Sequence, residues 1–302
     1  MLQLQMIKRA CPVCGTKDDA QAYAEANVDL EALDSFAFAS RKMPEYMHWR
    51  LVACRRCDLL YANPIPDAED LSALYRTASF DSAKEAAYSS QTYGRFLPQI
   101  ASRLPDRRGA VDIGTGDGAF LHELLAAGFT EVIGVEPSAA PIEVAAPEVR
   151  PLIRHDIFRP DSFAPSSLSL ITCFQTMEHL SNPLAMCTDA WRALKPGGAL
   201  FLIGHNRRAL SAKLLGRKSP IFDIEHLQLF SPASVKHMLE SAGFSRVTVQ
   251  PVINRYPLHY WARLFPFPAR LKRGFTNLLK STALGRIPIP LAAGNLAAIA
   301  YK

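Results

Sequence analysis

From residue 109 onward, short apolar runs alternate with stretches whose apolar residues recur every three to four positions. The runs AVDI (110–113), EVIGVE (131–136), LIRH (152–155), LSLITCF (168–174) and ALFLIGH (199–205) predict five strands, and the helical stretches between them predict a parallel sheet with crossover helices. The clearest helix, NPLAMCTDAWRAL, opens on Asn182 and Pro183 and is closed by KPGG at 195–198. The rhythm then changes. SPASVKHMLESAGF predicts a helix with Ser231 as its cap, Pro232 in its first turn and Gly243 as its stop. That helix feeds a strand in RVTVQPV, and the chain ends on another in NLAAIAYK. The expected fold is therefore α/β: a seven-stranded, doubly wound, Rossmann-like sheet with an antiparallel terminal hairpin.

Upstream, residues 67–104 are helical and polar, with Tyr75, Tyr88, Tyr93 and Phe96 expected to pack onto the next domain. Pro64 and Pro66 in LLYANPIPD forbid a helix and place a boundary near residue 66. This divides the chain into a small module at 1–66, a helical linker or lid at 67–108, and a main domain at 109–302 with insertions at 206–230 and 253–290.

The 302 residues, 49% hydrophobic, suffice for one large core and a small appendage. No apolar run approaches the roughly 18 residues of a membrane span, and no secretory signal opens the chain, so the expected location is cytoplasmic. A net charge of +6 suits an anionic substrate, a nucleic acid or an acidic membrane equally well.

Four of the six cysteines form two C-x2-C pairs, Cys11 with Cys14 and Cys54 with Cys57. Two such turns brought together supply the tetrahedral four-sulfur shell of structural zinc, although the 39 residues between them exceed the usual spacing. His48 is an alternative fourth ligand. Cys173 and Cys187 fall in apolar surroundings and are expected in the core.

The candidate cofactor turn is VDIGTGDGAF (111–120), where Gly114, Gly116 and Gly118 follow a strand and precede a helix. The spelling alone also satisfies a dinucleotide fingerprint. Asp112 lies beside the turn, Glu136 ends the second strand and Asp156 follows the third. In an open sheet all three meet at the carboxyl edge, where Glu136 can accept ribose hydroxyls and Asp156 can reach an adenine amine. No P-loop pattern is present.

Taken together, VDIGTGDG, GVEP, HDIF, LITCFQTMEHL, LKPGG and the closing hairpin resemble the class I S-adenosylmethionine-dependent methyltransferase family, from Gly109 to the C terminus. The resemblance implies that Asp112 and the glycine turn hold the methionine end of the donor and Glu136 its ribose. It implies that Asp156 faces adenine and that Phe174, Gln175 and Thr176 form the floor near the sulfonium. Relatives that methylate bases carry N-P-P-Y or a Pro-Cys after the fourth strand, where this chain has CFQTMEHL. A closer resemblance, spanning the cysteine pairs, the core and NRRALSAKLLGRKSPIFDIEHLQLF, is to zinc-containing methyltransferases of sugar and polysaccharide pathways. It implies acid–base roles for Glu225, His226 and His179. The tyrosine those enzymes carry near the Glu-His pair falls here on Phe222 or Asp223. Structural alternatives stay open: His179 as a helix-start residue and His226 as a loop anchor. His205 and Asn206 follow the fifth strand at the same edge.

Methyl transfer to a small anionic acceptor, such as a nucleotide-linked sugar, is the expected function. An RNA methyltransferase with a zinc module and a non-catalytic donor-binding protein are the alternatives, nucleic acid being disfavoured as a partner. Residues 253–290 carry Arg255, Arg263, Arg270, Lys272, Arg273, Lys280 and Arg286 without a carboxylate, interleaved with Trp261, Phe265, Phe267 and Phe275. This segment reads as a lid over an anionic acceptor, a peripheral contact with anionic lipid, or a packed helical insertion.

Overall fold

The computed structural model describes residues 4–33, 37–38, 45–76, 83–264 and 269–302. Strands β1 (Met6–Ile7) and β2 (Ala20–Ala24) flank the first cysteine pair, and β3 (Leu51–Cys54) and β4 (Leu60–Ala62) flank the second. The chain then forms β5 (Ile65–Pro66), antiparallel to β1, and three helices, α1 (Ala68–Arg76), α2 (Ala83–Gly94) and α3 (Leu97–Ala101). The alternating region follows as β6 (Arg108–Ile113), α4 (Ala119–Ala126), β7 (Thr130–Glu136), α5 (Ala139–Glu143), β8 (Ile153–His155), β9 (Leu168–Phe174), α6 (Pro183–Ala193) and β10 (Leu194–His205). Beyond it come α7 (Leu210–Leu215), β11 (Gln228–Leu229), α8 (Pro232–Ser241) and β12 (Arg246–Pro251). The excursion β13 (Asn254–Pro257), α9 (Leu258–Leu264), α10 (Ala269–Ser281) and β14 (Pro288–Leu291) precedes the last strand, β15 (Asn295–Tyr301).

Seven strands form the main sheet in the order β12-β15-β10-β9-β6-β7-β8. The five from β8 to β10 are parallel, and β15 runs antiparallel between β10 and β12. Strand order reverses between β6 and β9, so the crevice at the carboxyl ends of those two strands is where a ligand fits this architecture. Both faces are covered, and the strands read as continuous apolar runs for that reason. Val111, Ile171, Leu200 and Leu202 face α6, α8 and the cysteine-rich segment, while Ala110, Leu170, Phe201 and Ile203 face α3 and α4. Cys173 and Cys187 are fully buried, as expected from their apolar neighbours.

The predicted caps are in place. Asn182 Oδ1 accepts from Ala185 N at 3.1 Å, and Ser231 and Ser234 form a reciprocal capping box, each cap contributing about 1 kcal/mol. One boundary differs: β10 begins at Leu194 and runs through KPGG, with a register shift before Ala199, because Gly197 adopts φ +79° and lets the chain turn straight from helix to strand.

The 206–230 insertion does not stand apart from the N-terminal segment. Its strand β11 pairs with β4, completing a four-stranded sheet ordered β11-β4-β3-β2. Asp58, next to the second cysteine pair, binds both Arg207 and Arg208; burial opposes its charge, but bonds from Arg208, Ser231 and Arg207 hold its carboxyl at about 2. No described helix is long and apolar enough to cross a membrane. Of the basic 253–290 segment, the side chains of Arg263, Phe265, Phe267, Arg270, Lys272, Arg273 and Phe275 lie outside the described residues.

Candidate functional site

Each cysteine pair sits on a turn closed by a backbone bond, Gly15 N to Cys11 O at 2.9 Å and Asp58 N to Cys54 O at 3.1 Å. In both turns the residue after the second cysteine is left-handed, Gly15 at φ +70° and Asp58 at φ +61°. The hairpin of β2 and β3 spans the long interval, pairing Ala20 with Cys54, and so closes the gap that the sequence spacing left open. The four Sγ atoms lie within 4.8 Å of one another, with Cys11–Cys57 and Cys14–Cys54 both at 3.5 Å. A tetrahedral zinc with Zn–S of about 2.3 Å needs S···S of about 3.8 Å, so the residues fit that ion. His48 is not part of this group: its Nδ1 meets Trp49 O at 2.8 Å, and its ring packs against Phe222.

The glycine turn joins β6 to α4. Asp112, Gly114 and Phe174 line a slot with Thr115, Asp117, Ala119 and Phe120, and its outer wall is Ala86, Ser90 and Tyr93 of α2. Asp112 is buried and held by hydroxyls, accepting from Thr115 at 2.8 Å and Thr172 at 2.6 Å. Gly114 and Gly118 are required by their neighbours. A Cβ on Gly114 would run into Thr176, and one on Gly118 would press on Val149 and Ile153 at 3.0 and 3.1 Å. Gly116 is different: a Cβ there would meet nothing within 4 Å, so the space beside it is a cradle rather than a packing contact. The Glu136 carboxylate accepts from Gly116 N and Ser138 N, both at 2.9 Å, and burial raises its carboxyl above the ordinary range. Asp156 N donates to Glu136 O at 3.1 Å, placing Asp156 at the same edge; its carboxylate is exposed and pairs with Arg159 at 3.1 Å. The open cradle at Gly116 and the buried Asp112 and Glu136 fit a donor with a cationic amino-acid end and a ribose.

Beyond β9, Gln175 turns left-handed at φ +52° and Thr176 covers Gly114. Three residues further on, His179 meets the loop that precedes β11. Its Nε2 contacts Gln175 O at 2.9 Å, and its Nδ1 lies 3.1 Å from the Tyr75 hydroxyl and 3.8 Å from Glu225 Oε2. His226 Nδ1 contacts Ile221 O at 2.9 Å, while its Nε2 is 3.9 Å from Glu225 Oε1. The His226 ring lies 5.1 Å from that of His179 and 4.9 Å from that of His205. The structure thus brings Glu225, His226 and His179 together, with one nitrogen or oxygen of each within 4.8 Å of the others, close enough to share one cation.

Four residues of the cluster and the slot were not singled out by the sequence reading for the roles they take. Tyr75 looked like a packing aromatic but presents its hydroxyl to His179 and Glu225 O; burial and the carboxylates of Glu225 and Asp223 push its phenol well above the usual range. Glu178 is fully buried, accepts from His205 N at 2.5 Å and lies 3.4 Å from His205 Nδ1. Ser90 and Tyr93 reach the slot only because α2 lies across it. No local signal marks these positions.

Burial holds the His179 imidazole below the ordinary 6.5. The folded protein therefore takes up this proton less readily than the unfolded chain. The stability tied to neutral His179 is whole above about pH 6.5 and is lost as pH falls toward the depressed value. The melting-temperature gap between wild type and His179→Gln should narrow on acidification from about pH 7.5 to about pH 5.5. A gap constant across that range would show that His179 is not buried in its neutral form.

The methyltransferase-domain family model matches residues 85–249, more than half of the chain. The ubiquinone biosynthesis O-methyltransferase of Histophilus somni is 27% identical over 166 residues, 49% of this chain and 69% of that protein. Its counterpart from Burkholderia thailandensis is 24% identical over 175 residues, 52% of this chain and 75% of the other. Among solved structures, the YcgJ protein of Bacillus subtilis shares the fold, with a TM-score of 0.50 at 20% identity over 70% of this chain and 98% of its own. With the sheet order and the family match in agreement, the chain belongs to the methyltransferase-domain family and is an S-adenosylmethionine-dependent methyltransferase.

Proposed function

We propose that this methyltransferase acts on a small anionic molecule, such as a nucleotide-linked sugar or related metabolite, bound where His179, Glu225, His226 and Tyr75 meet. The observation that carries the reading is the convergence of a second imidazole, a carboxylate and a phenol on His179, which lies three residues beyond Thr176. Methyl transfer from a sulfonium is an in-line displacement, and S-adenosylmethionine supplies the electrophilic methyl group when bound. The chain's own residues align the acceptor and take up its proton. Glu225 stabilises positive charge on either imidazole, and the backbone carbonyls of Ile221 and Gln175 fix how the two rings face the acceptor.

Asp112 and the 114–118 turn hold the methionine end of the donor, Glu136 its ribose and Asp156 its adenine. Phe174, Gln175 and Thr176 lie under the reacting centre. The slot is bounded on its outer side by Ala86, Ser90 and Tyr93 of α2, so this helix lies beside the bound donor. The names of the O-methyltransferase relatives support a small-molecule acceptor and transfer to oxygen.

The test is transfer of labelled methyl from S-adenosylmethionine into a metabolite extract, with and without nuclease. Label in small molecules that survives nuclease treatment is expected. Label lost on nuclease treatment would mark an RNA methyltransferase, and donor binding without transfer to any extract would mark a silent binding protein. Zinc at Cys11, Cys14, Cys54 and Cys57 belongs to the same proposal. Elemental analysis should find about one zinc per chain, released when a mercurial titrates the thiols. Metal-free protein with four freely reactive thiols would end the zinc assignment.

A further inference from the structure

We propose that Arg9 is a positioning residue for the acceptor site, holding the His179 and His226 segments at their facing separation; this rests on the acceptor reading above. Arg9 lies two residues before the first zinc-type cysteine, remote in sequence from both histidines. Its guanidinium nevertheless reaches both segments. Nη1 donates to Ser181 O at 3.0 Å, two residues beyond His179, and Nη2 donates to Leu227 O at 2.7 Å, one beyond His226. Nη2 also donates to Gln228 Oε1 at 3.1 Å, and Nε to Ala62 O at 3.0 Å. The Gln228 amide continues the bridge, donating from Nε2 to Met177 O at 2.8 Å, Glu178 O at 3.1 Å and Leu180 O at 2.7 Å. Arg9 and Gln228 thus tie the turn bearing His179 to the loop bearing His226.

The arginine is itself fixed. Asn63 binds the Arg9 backbone in both directions, Arg9 N to Asn63 Oδ1 and Asn63 Nδ2 to Arg9 O, each at 3.1 Å. The Tyr61 ring lies 5.6 Å from the guanidinium carbon. The planar fork satisfies four acceptors on three chain segments at once, which a lysine ammonium on a flexible stem cannot reproduce. Burial lowers the guanidinium to about 10, still charged at neutral pH. Through Arg9 the cysteine-rich segment sets the geometry of a site to which it contributes no reacting group.

The experiment compares full-length wild type, Arg9→Lys and Arg9→Met, all loaded with zinc. Three quantities are read: S-adenosylhomocysteine affinity by calorimetry, labelled methyl transfer into nuclease-treated metabolite extract, and ring titrations by NMR of histidine-labelled protein. In Arg9→Met, transfer should fall about 100-fold, the loss expected from a displacement of about 1 Å at the reacting groups. Donor affinity should stay within about twofold, and the His179 and His226 titrations should move. Arg9→Lys should fold and lose about 10-fold, since one ammonium replaces only part of the bridge. Unmoved His179 and His226 titrations in Arg9→Met overturn the proposal. Should that variant fail to fold, wild-type transfer and wild-type titrations in Arg9→Lys overturn it instead. If wild type labels no small molecule, the acceptor reading falls, whereas the titrations still decide whether Arg9 places the two rings.

Discussion

Gly116→Val should weaken donor binding by about a hundredfold and leave the protein folded. A Cβ at residue 116 meets no atom within 4 Å, so the folded chain has room for a side chain; the cost is a left-handed φ of +58°, about 1–2 kcal/mol for a non-glycine residue. A domain with 5–15 kcal/mol of stability survives that. The donor does not. The valine methyls occupy the cradle bounded by the turn and Glu136, and overpacking of about 3 kcal/mol corresponds to roughly a hundredfold weaker binding. Gly114→Ala is the control of opposite kind. Its Cβ runs into Thr176 from a φ of +71°, so it should lower the melting temperature even without ligand. Calorimetry with S-adenosylhomocysteine and a thermal melt of each variant separate the two effects. Unchanged donor affinity in a folded Gly116→Val would overturn the assignment of the turn.

The contrast between those two glycines also marks how far the sequence could be read. Strand and helix positions follow from side-chain period and caps, both local properties, and so AVDI, LSLITCF and the Ser231 cap are placed correctly from the local sequence pattern alone. The spelling GTGDG says that three glycines lie on a turn. Only the fold says that Gly114 is small because Thr176 lies against it, whereas a side chain at Gly116 would meet open space. The cluster around His226 was legible in part for the same reason. Glu225, His226 and His179 were found through resemblance to enzymes that use them. Tyr75 sits at the end of a polar helix about a hundred residues from its partner, and nothing in YRTAS distinguishes a phenol that will face an imidazole from one that will cover apolar surface. Arg9 is less legible still, because its neighbours belong to β4, β11 and the turn after β9, which become adjacent only once the small sheet has formed. The two prolines suggest a boundary near residue 66, but the strand β11 that joins the small sheet across it is two residues long and too short for any period to reveal.

Substituting His226 should remove turnover while sparing the donor site, and two variants distinguish the chemistry from the scaffolding. The ring has two distinct edges. Nδ1 contacts Ile221 O at 2.9 Å and anchors the loop, whereas Nε2 is directed toward Glu225 and the neighbouring imidazoles. His226→Asn retains an amide donor close to the Nδ1 position and lacks anything at Nε2; His226→Ala lacks both. If His226 takes the acceptor's proton, both variants lose about 100-fold to 10,000-fold in kcat, the usual range for loss of a general base, with donor affinity unchanged. Stability should part them. His226→Ala leaves Ile221 O without its bond and should lose about 1 kcal/mol or somewhat more, while His226→Asn stays near wild type. An anchor without chemistry predicts the reverse pattern, with His226→Asn active and His226→Ala impaired in proportion to its melting temperature. Turnover retained by His226→Asn on the labelled acceptor would therefore return His226 to the loop and leave proton removal to His179, whose Nδ1 already faces Tyr75 and Glu225.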